Sequence, residues 1–181
     1  MNCFIRLVSL VLGAQSIQMK NYILSQAMCE RKLERMAYEI AEQNVDEKLL
    51  ILAGIRENGE VIANLLKDLL AGIFPGKVDV ISVSLDKRNP GEITLSKSLN
   101  FNEAIVILVD DVANSGKTML YSLKPFLAFH PRKIQTLALV ERTHKAYPVN
   151  TDYVGISLAT TLQEHIFVEV KHGKLGGAWL E

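Results

Sequence analysis

The sequence predicts an α/β fold with a central, mostly parallel sheet flanked by helices on both faces. Three observations lead there. Apolar runs of strand length at residues 49–53, 104–109 and 134–140 are nearly continuous, the pattern of strands buried on both sides. Stretches with helical periodicity or turn chemistry separate them, which is the alternation of a parallel sheet. The segments that follow the strands begin at Gly54, Asp86, Asp111 and Glu141, and in such a sheet the carboxyl ends of the strands border the ligand crevice.

Each element has its own signal. From Ser25, "SQAMCERKLERMAYEIAEQN" places Cys29, Leu33, Met36, Ala37, Ile40 and Ala41 at helical spacing, with Ser25 as N-cap. The run at 49–53 stops at Gly54, a loop reaches Gly59, and "EVIANLLKDLLAG" continues as a helix. "KVDVISVSL" is rich in β-branched residues and reads as a strand, and the polar "DKRNPGEITLSKSLNFNE" behind it reads as a mobile connection. A strand over 104–109, a helix over 116–128 and a strand over 134–140 follow, and the glycine-rich "KHGKLGGAWLE" is expected to be peripheral.

With 181 residues the chain suits one domain, expected over 19–181, preceded by an extension at 1–18 that is either disordered or packed as an added strand. That extension does not fit a secretory leader: Arg6 falls behind Phe4 and Ile5, and the apolar run at 7–12 is too short to span a bilayer. Cys3 and Cys29 lack the spacing of a disulfide framework or a zinc site, so a reducing cytoplasm and no membrane association are expected. Twenty basic residues balance 20 acidic ones, which argues against a dedicated polyanion binder.

The chemistry concentrates in "VILVDDVANSGKT". A greasy strand ends at Asp110 and Asp111, and a small-residue loop follows, Val112, Ala113, Asn114, Ser115, Gly116, Lys117 and Thr118. Small residues at a helix start let backbone N–H groups wrap a phosphate, with Ser115 and Thr118 adding hydroxyls and Lys117 a charge. A nucleotide P-loop is disfavoured because Asp111 would face the phosphates. The two carboxylates can accept the hydroxyls of a vicinal diol or attract a divalent cation held by a polyphosphate. Taken singly, either acid also suits a plain helix N-terminus. The combination of strand, acids and loop favours a sugar phosphate.

"VILVDDVANSGKT" resembles the phosphoribosyl-pyrophosphate signature of type I phosphoribosyltransferases. "ILSQAMCERKLERMAYEIAEQN", "LLILAGIRENG" and "ALVERTHKAYPVNTDYVG" are similar, in order and spacing, to the branch of bifunctional pyrimidine-operon attenuation regulators and uracil phosphoribosyltransferases. The resemblance implies the type I phosphoribosyltransferase fold, with a small hood over the sheet. It implies phosphoribosyl pyrophosphate and a nucleobase or nucleotide as ligands, Mg2+ carried mainly by the substrate beside Asp110 and Asp111, and a homodimer or higher homo-oligomer. Asp110 and Asp111 would hold the ribose hydroxyls, and Ala113 through Thr118 would bind the 5′-phosphate, with Val112 also in the phosphoribosyl-pyrophosphate-binding set. The pyrophosphate turn would comprise Gly54, Ile55, Arg56, Glu57, Asn58 and Gly59. Lys87 and Arg88 would lie on the closing loop, and Arg142, His144, Lys145, Tyr153 and Val154 on the base-side hood.

The family's pyrophosphate turn typically reads G-I-K-T-R-G, so Glu57 and Asn58 stand where threonine and arginine are expected. This removes a cation and adds an anion near a polyanionic substrate. Two functions follow: transfer of the phosphoribosyl group to a base, uracil above others, or a nucleotide-sensing regulator that binds pyrimidine-operon RNA with little catalysis. For RNA the sequence offers only Arg132, Lys133, Arg142 and Lys145 as a basic group.

Overall fold

A computed structural model describes residues 20–86, 90–161 and 164–181. The extension over 1–18 and the loop residues Lys87 and Arg88 lie outside them. The first strand, β1 (Asn21–Ser25), feeds α1 (Gln26–Gln43), whose start is fixed by the Ser25 hydroxyl accepting the Met28 N–H at 3.3 Å. β2 (Leu49–Ile55), α2 (Arg56–Leu70), β3 (Lys77–Leu85), β4 (Ile93–Leu95) and β5 (Ile105–Ala113) follow. After α3 (Lys117–Ser122) and a 3-10 turn (Lys124–Ala128) come β6 (Lys133–Arg142), β7 (Tyr153–Leu158), β8 (Ile166–Lys171) and β9 (Lys174–Leu180).

The main sheet has the order β4-β3-β2-β5-β6-β7, parallel from β3 to β7 with β4 antiparallel at one edge. β5 lies at its middle and shows why the strands read as unbroken apolar runs. Ile105, Ile107 and Val109 pack with α1 and α2, and Val106 and Leu108 pack on the other side with Phe101, Met119 and Phe126. Successive strand residues point to opposite faces, so covering both faces demands apolar residues at every position. Each large side chain buried this way contributes about 1.5–3 kcal/mol.

Four expectations are corrected. The strand that begins near residue 104 runs on to Ala113, so Asp110 and Asp111 lie inside β5. The helix expected over 116–128 is split, because Pro125 cannot donate in a helical ladder and restricts the residue before it. The polar connection after β3 contains β4, which folds back as Val83↔Leu95 to Leu85↔Ile93, and at its far end Phe101 packs edge-on to Phe126, ring centroids 4.9 Å apart. The glycine-rich tail is not peripheral: β9 is the middle strand of a second sheet, β1-β9-β8, with Leu175 and Ala178 in the core. Gly177 permits this, since its φ of 143° and a Leu24 carbonyl only 2.8 Å from where a Cβ would stand both exclude a side chain.

Candidate functional site

At the carboxyl end of β5 a cleft of about 330 Å³ is lined by both acids, by the whole segment from Val112 to Thr118, and by Met119 and Ile166. Asp110, Asp111 and residues 112–118, singled out in the sequence, all line this cleft; Met119 and Ile166 were not anticipated, and β8 brings Ile166 over it from far along the chain with no local signal to announce it. The strand pattern changes at the acids. Odd-numbered residues face α1 and α2 through Val109, but beyond the acids Val112 joins that side and Ala113 joins the other. Neighbouring strand residues would otherwise point apart, and this change of phase accompanies their shared border on one opening.

Both carboxylates are deep-set, Asp110 at 1% and Asp111 at 8% exposure. Asp110 Oδ1 accepts the Asp111 N–H at 3.0 Å, and Asp111 Oδ1 accepts the Val112 N–H at 2.9 Å. Asp111 Oδ2 accepts from Asn58 Nδ2 at 2.7 Å. Each carboxylate oxygen has two lone pairs, so these bonds orient Asp111 while leaving acceptor capacity toward the cleft.

The loop is held open from behind. Gly116 adopts φ 80°, and the Tyr147 carbonyl lies 3.2 Å from where its Cβ would be. The Ser115 carbonyl accepts the Ala146 and Tyr147 N–H groups, both at 3.1 Å, and Ser115 Oγ accepts the Lys117 N–H at 3.3 Å. Arg142 donates to Asn114 Oδ1 at 3.1 Å, to the Thr161 carbonyl at 2.8 Å and to the Glu164 carbonyl. It thus braces the loop against the segment leading to β8.

The expected pyrophosphate turn has a different shape from the loop the sequence suggested. Gly54 and Ile55 end β2, and Arg56 to Gly59 form the first turn of α2. Arg56 makes the corner with φ 48°, a left-handed conformation costing about 1–2 kcal/mol in a non-glycine residue. Such strain concentrates at functional corners. Arg56 and Glu57 are exposed, and Asn58 is half-buried beneath them.

The hood residues divide. His144 is exposed, Val154 is half-buried on β7, and Tyr153 is fully buried under α1, its hydroxyl donating to Gln43 at 3.0 Å. Tyr153 is a core residue and does not face the cleft, because β7 turns it inward beside the buried Asn44 and Gln135. Burial pushes its phenol up to about 12. Lys145 is a strut: it donates to Glu141 and, at 3.1 Å, to Thr151. The four bases considered for RNA do not form one patch. Arg132 and Lys133 stand at the start of β6, where they bond Glu47 and the α1 end, and Arg142 and Lys145 stand at its far end, about 30 Å away at strand rise.

Burial raises the Glu141 carboxyl, but hydrogen bonds from Lys145, Thr151 and Ser157 and the Lys145 charge outweigh it and hold the group below its ordinary value of 4.5. A depressed folded value stabilises above the unfolded value and fades as pH falls through the folded one. Wild type should therefore melt above Glu141→Gln at pH 7, with the gap closing progressively below pH 4.5. Melting curves of both proteins across that range check this, and a gap constant with pH contradicts it.

Among the described residues no helix is long and apolar enough to cross a membrane. Residues 21–172 match the phosphoribosyl transferase domain family. Bifunctional protein PyrR of Leuconostoc mesenteroides is 31% identical over 163 residues, covering 84% of this chain and 93% of that protein. The same-named protein of Staphylococcus carnosus is 33% identical over 159 residues, covering 82% and 91%. Among solved structures, the hypoxanthine phosphoribosyltransferase of Trypanosoma cruzi superposes with a TM-score of 0.74 at 14% identity, over 89% of this chain and 95% of that one. These matches, together with the parallel sheet and the acid-bearing β5, establish that the chain belongs to the type I phosphoribosyltransferase family.

Proposed function

We propose that the protein transfers the phosphoribosyl group of phosphoribosyl pyrophosphate to a nucleobase, uracil in the first instance, and releases pyrophosphate. The observation that carries this is the single cleft bordered by both acids and by the whole loop from Val112 to Thr118. In this reading Asp110 and Asp111 accept the ribose hydroxyls and the loop receives the 5′-phosphate. The corner at Gly54, Ile55 and Arg56 lies toward the pyrophosphate, with Lys87 and Arg88 on the closing loop. His144 and Val154 border the base. Uracil rests on the sequence resemblance to the uracil-specific branch.

The donor set suits Mg2+ that arrives with its substrate. No group of three or more His, Cys, Asp or Glu is arranged for a metal among the described residues, and two carboxylates are enough for an ion otherwise ligated by phosphate oxygens and water. When bound, Mg2+ neutralises the departing pyrophosphate. The chain's own residues position the donor and shield a ribosyl-cation-like centre from water, without a protein nucleophile.

Calorimetry with phosphoribosyl pyrophosphate and Mg2+ should show saturable binding. Turnover should then be seen with uracil out of a panel containing hypoxanthine, guanine, adenine, xanthine and orotate. Absence of donor binding overturns the reading, and turnover with another base alone overturns the choice of uracil.

A second reading is a nucleotide-sensing regulator that binds pyrimidine-operon RNA with little turnover. It is favoured by Glu57 being exposed at the α2 corner while Asn58, in place of an arginine, is engaged with Asp111. Self-association as a homodimer or larger assembly follows from the same resemblance. Donor binding without turnover, together with salt-sensitive retention of RNA on filters, would select this reading.

A further inference from the structure

Asn58 occupies a position where related chains are expected to offer a cation to pyrophosphate, yet its side chain points elsewhere. Its amide nitrogen lies 2.7 Å from Asp111 Oδ2 and 3.2 Å from the Val168 carbonyl of β8. Both partners are acceptors only, so the amide must present its NH2 to them, and its two hydrogens match two acceptors. An amide with both hydrogens engaged has none left for a phosphate. The same side chain thus connects three elements: the first turn of α2, the acid in β5, and the strand that brings Ile166 over the cleft.

We propose that Asn58 is a positioning residue for the sugar site: it clamps the Asp111 carboxylate to the Val168 carbonyl, fixing the direction of the oxygens that accept the ribose hydroxyls. A free carboxylate can rotate about its terminal torsion, which is broad and two-fold. Here Val112 N–H holds one oxygen and Asn58 the other, so that rotation is arrested before the substrate arrives. Preorganisation of this kind acts on affinity by removing an ordering cost. The bond to Val168 gives the clamp a second effect, because loosening it frees β8 from α2 beside the cleft.

This inference rests on the assignment of Asp111 to the donor's sugar, and the experiment separates the two. Donor affinity is measured calorimetrically with Mg2+ for wild type, Asn58→Ala, Asn58→Ser, Asp111→Asn and the double variant Asn58→Ala with Asp111→Asn, alongside melting temperatures and KM for the base. A hydrogen bond to a charged group implies a loss of about tenfold or more in donor affinity for Asn58→Ala. KM for the base should stay unchanged, and Asn58→Ser, which retains a donor, should recover part of the loss. In the Asp111→Asn background, removing Asn58 should cost little further, since its target is already altered. Unchanged affinity in Asn58→Ala while wild type binds, or losses that add fully in the double variant, overturn the clamp and leave the functional reading standing. A fall in melting temperature with donor and base parameters changed in parallel marks a merely structural residue and also overturns it. Wild type that fails to bind the donor overturns the functional reading and this inference with it.

Discussion

Asp111→Asn should weaken binding of phosphoribosyl pyrophosphate with Mg2+ by about ten- to a hundredfold, the range expected for losing a charged hydrogen-bond acceptor worth about 1.5–3 kcal/mol. The substitution keeps size and shape but not acceptor count. Asp111 takes an N–H from Val112 on one oxygen and from Asn58 on the other. An asparagine must turn its own NH2 toward one of these donors, so a donor faces a donor whichever way the amide lies. Some loss of melting temperature should accompany the loss of affinity. Asp110→Asn differs usefully, because its contact with the Asp111 N–H at 3.0 Å survives on the remaining carbonyl oxygen. It removes the charge while keeping that contact, and donor affinity should fall here too. Asp79→Asn, on β3 and paired with Lys77, serves as a carboxylate control that leaves affinity intact. Calorimetric titration of the three proteins decides the matter: wild-type affinity in both Asp110→Asn and Asp111→Asn removes the acids from the site.

The features most legible in the sequence are those set by local chemistry. Ser25 caps α1 because a hydroxyl before an amphipathic run has an orphan N–H within reach. The apolar runs read as doubly buried strands because the central sheet is covered on both faces. The acids and their loop were recognisable because a greasy strand rarely carries adjacent carboxylates for packing reasons alone.

What stayed hidden depends on contacts made at long range. Nothing within residues 171–181 signals that β1 and β8 will flank β9; glycines there suggested a loose tail, although Gly177 serves a close strand approach. Tyr153 matched a hood position by resemblance, but its face is decided by the register of β7 on β6, Leu137↔Tyr153, which places it in the core. Asn58 was assigned by its neighbours in sequence, and its partner Asp111 is 53 residues away. The change of phase within β5 belongs to the same class, since periodicity cannot show where a strand alters which face it presents.

Gly59→Ala should lower the melting temperature by about 4–8 °C, the reverse of what helix propensity alone predicts. Gly59 lies in the first turn of α2, where alanine is ordinarily better by about 1 kcal/mol. A Cβ built there, however, would stand 2.5 Å from the Val109 carbonyl oxygen and 3.4 Å from Asp110 Cα. Both neighbours are backbone of the central strand, so no side chain can swing away, and the helix or the strand must move. Overpacking of this kind costs about 1–3 kcal/mol; at the upper end it outweighs the propensity gain by about 2 kcal/mol, and at this chain length each kcal/mol shifts the midpoint by about 2–4 °C. Gly72→Ala is the matched contrast, because nothing lies within 4 Å of its would-be Cβ and its φ is ordinary. That variant should be neutral or gain about 0.4–1 kcal/mol through a less flexible unfolded chain. A stabilised Gly59→Ala would mean that α2 does not approach β5 as closely as these distances require. A destabilised one should also bind the donor less well, since the carbonyl it displaces belongs to the residue immediately before Asp110 and the displacement passes directly into the acids.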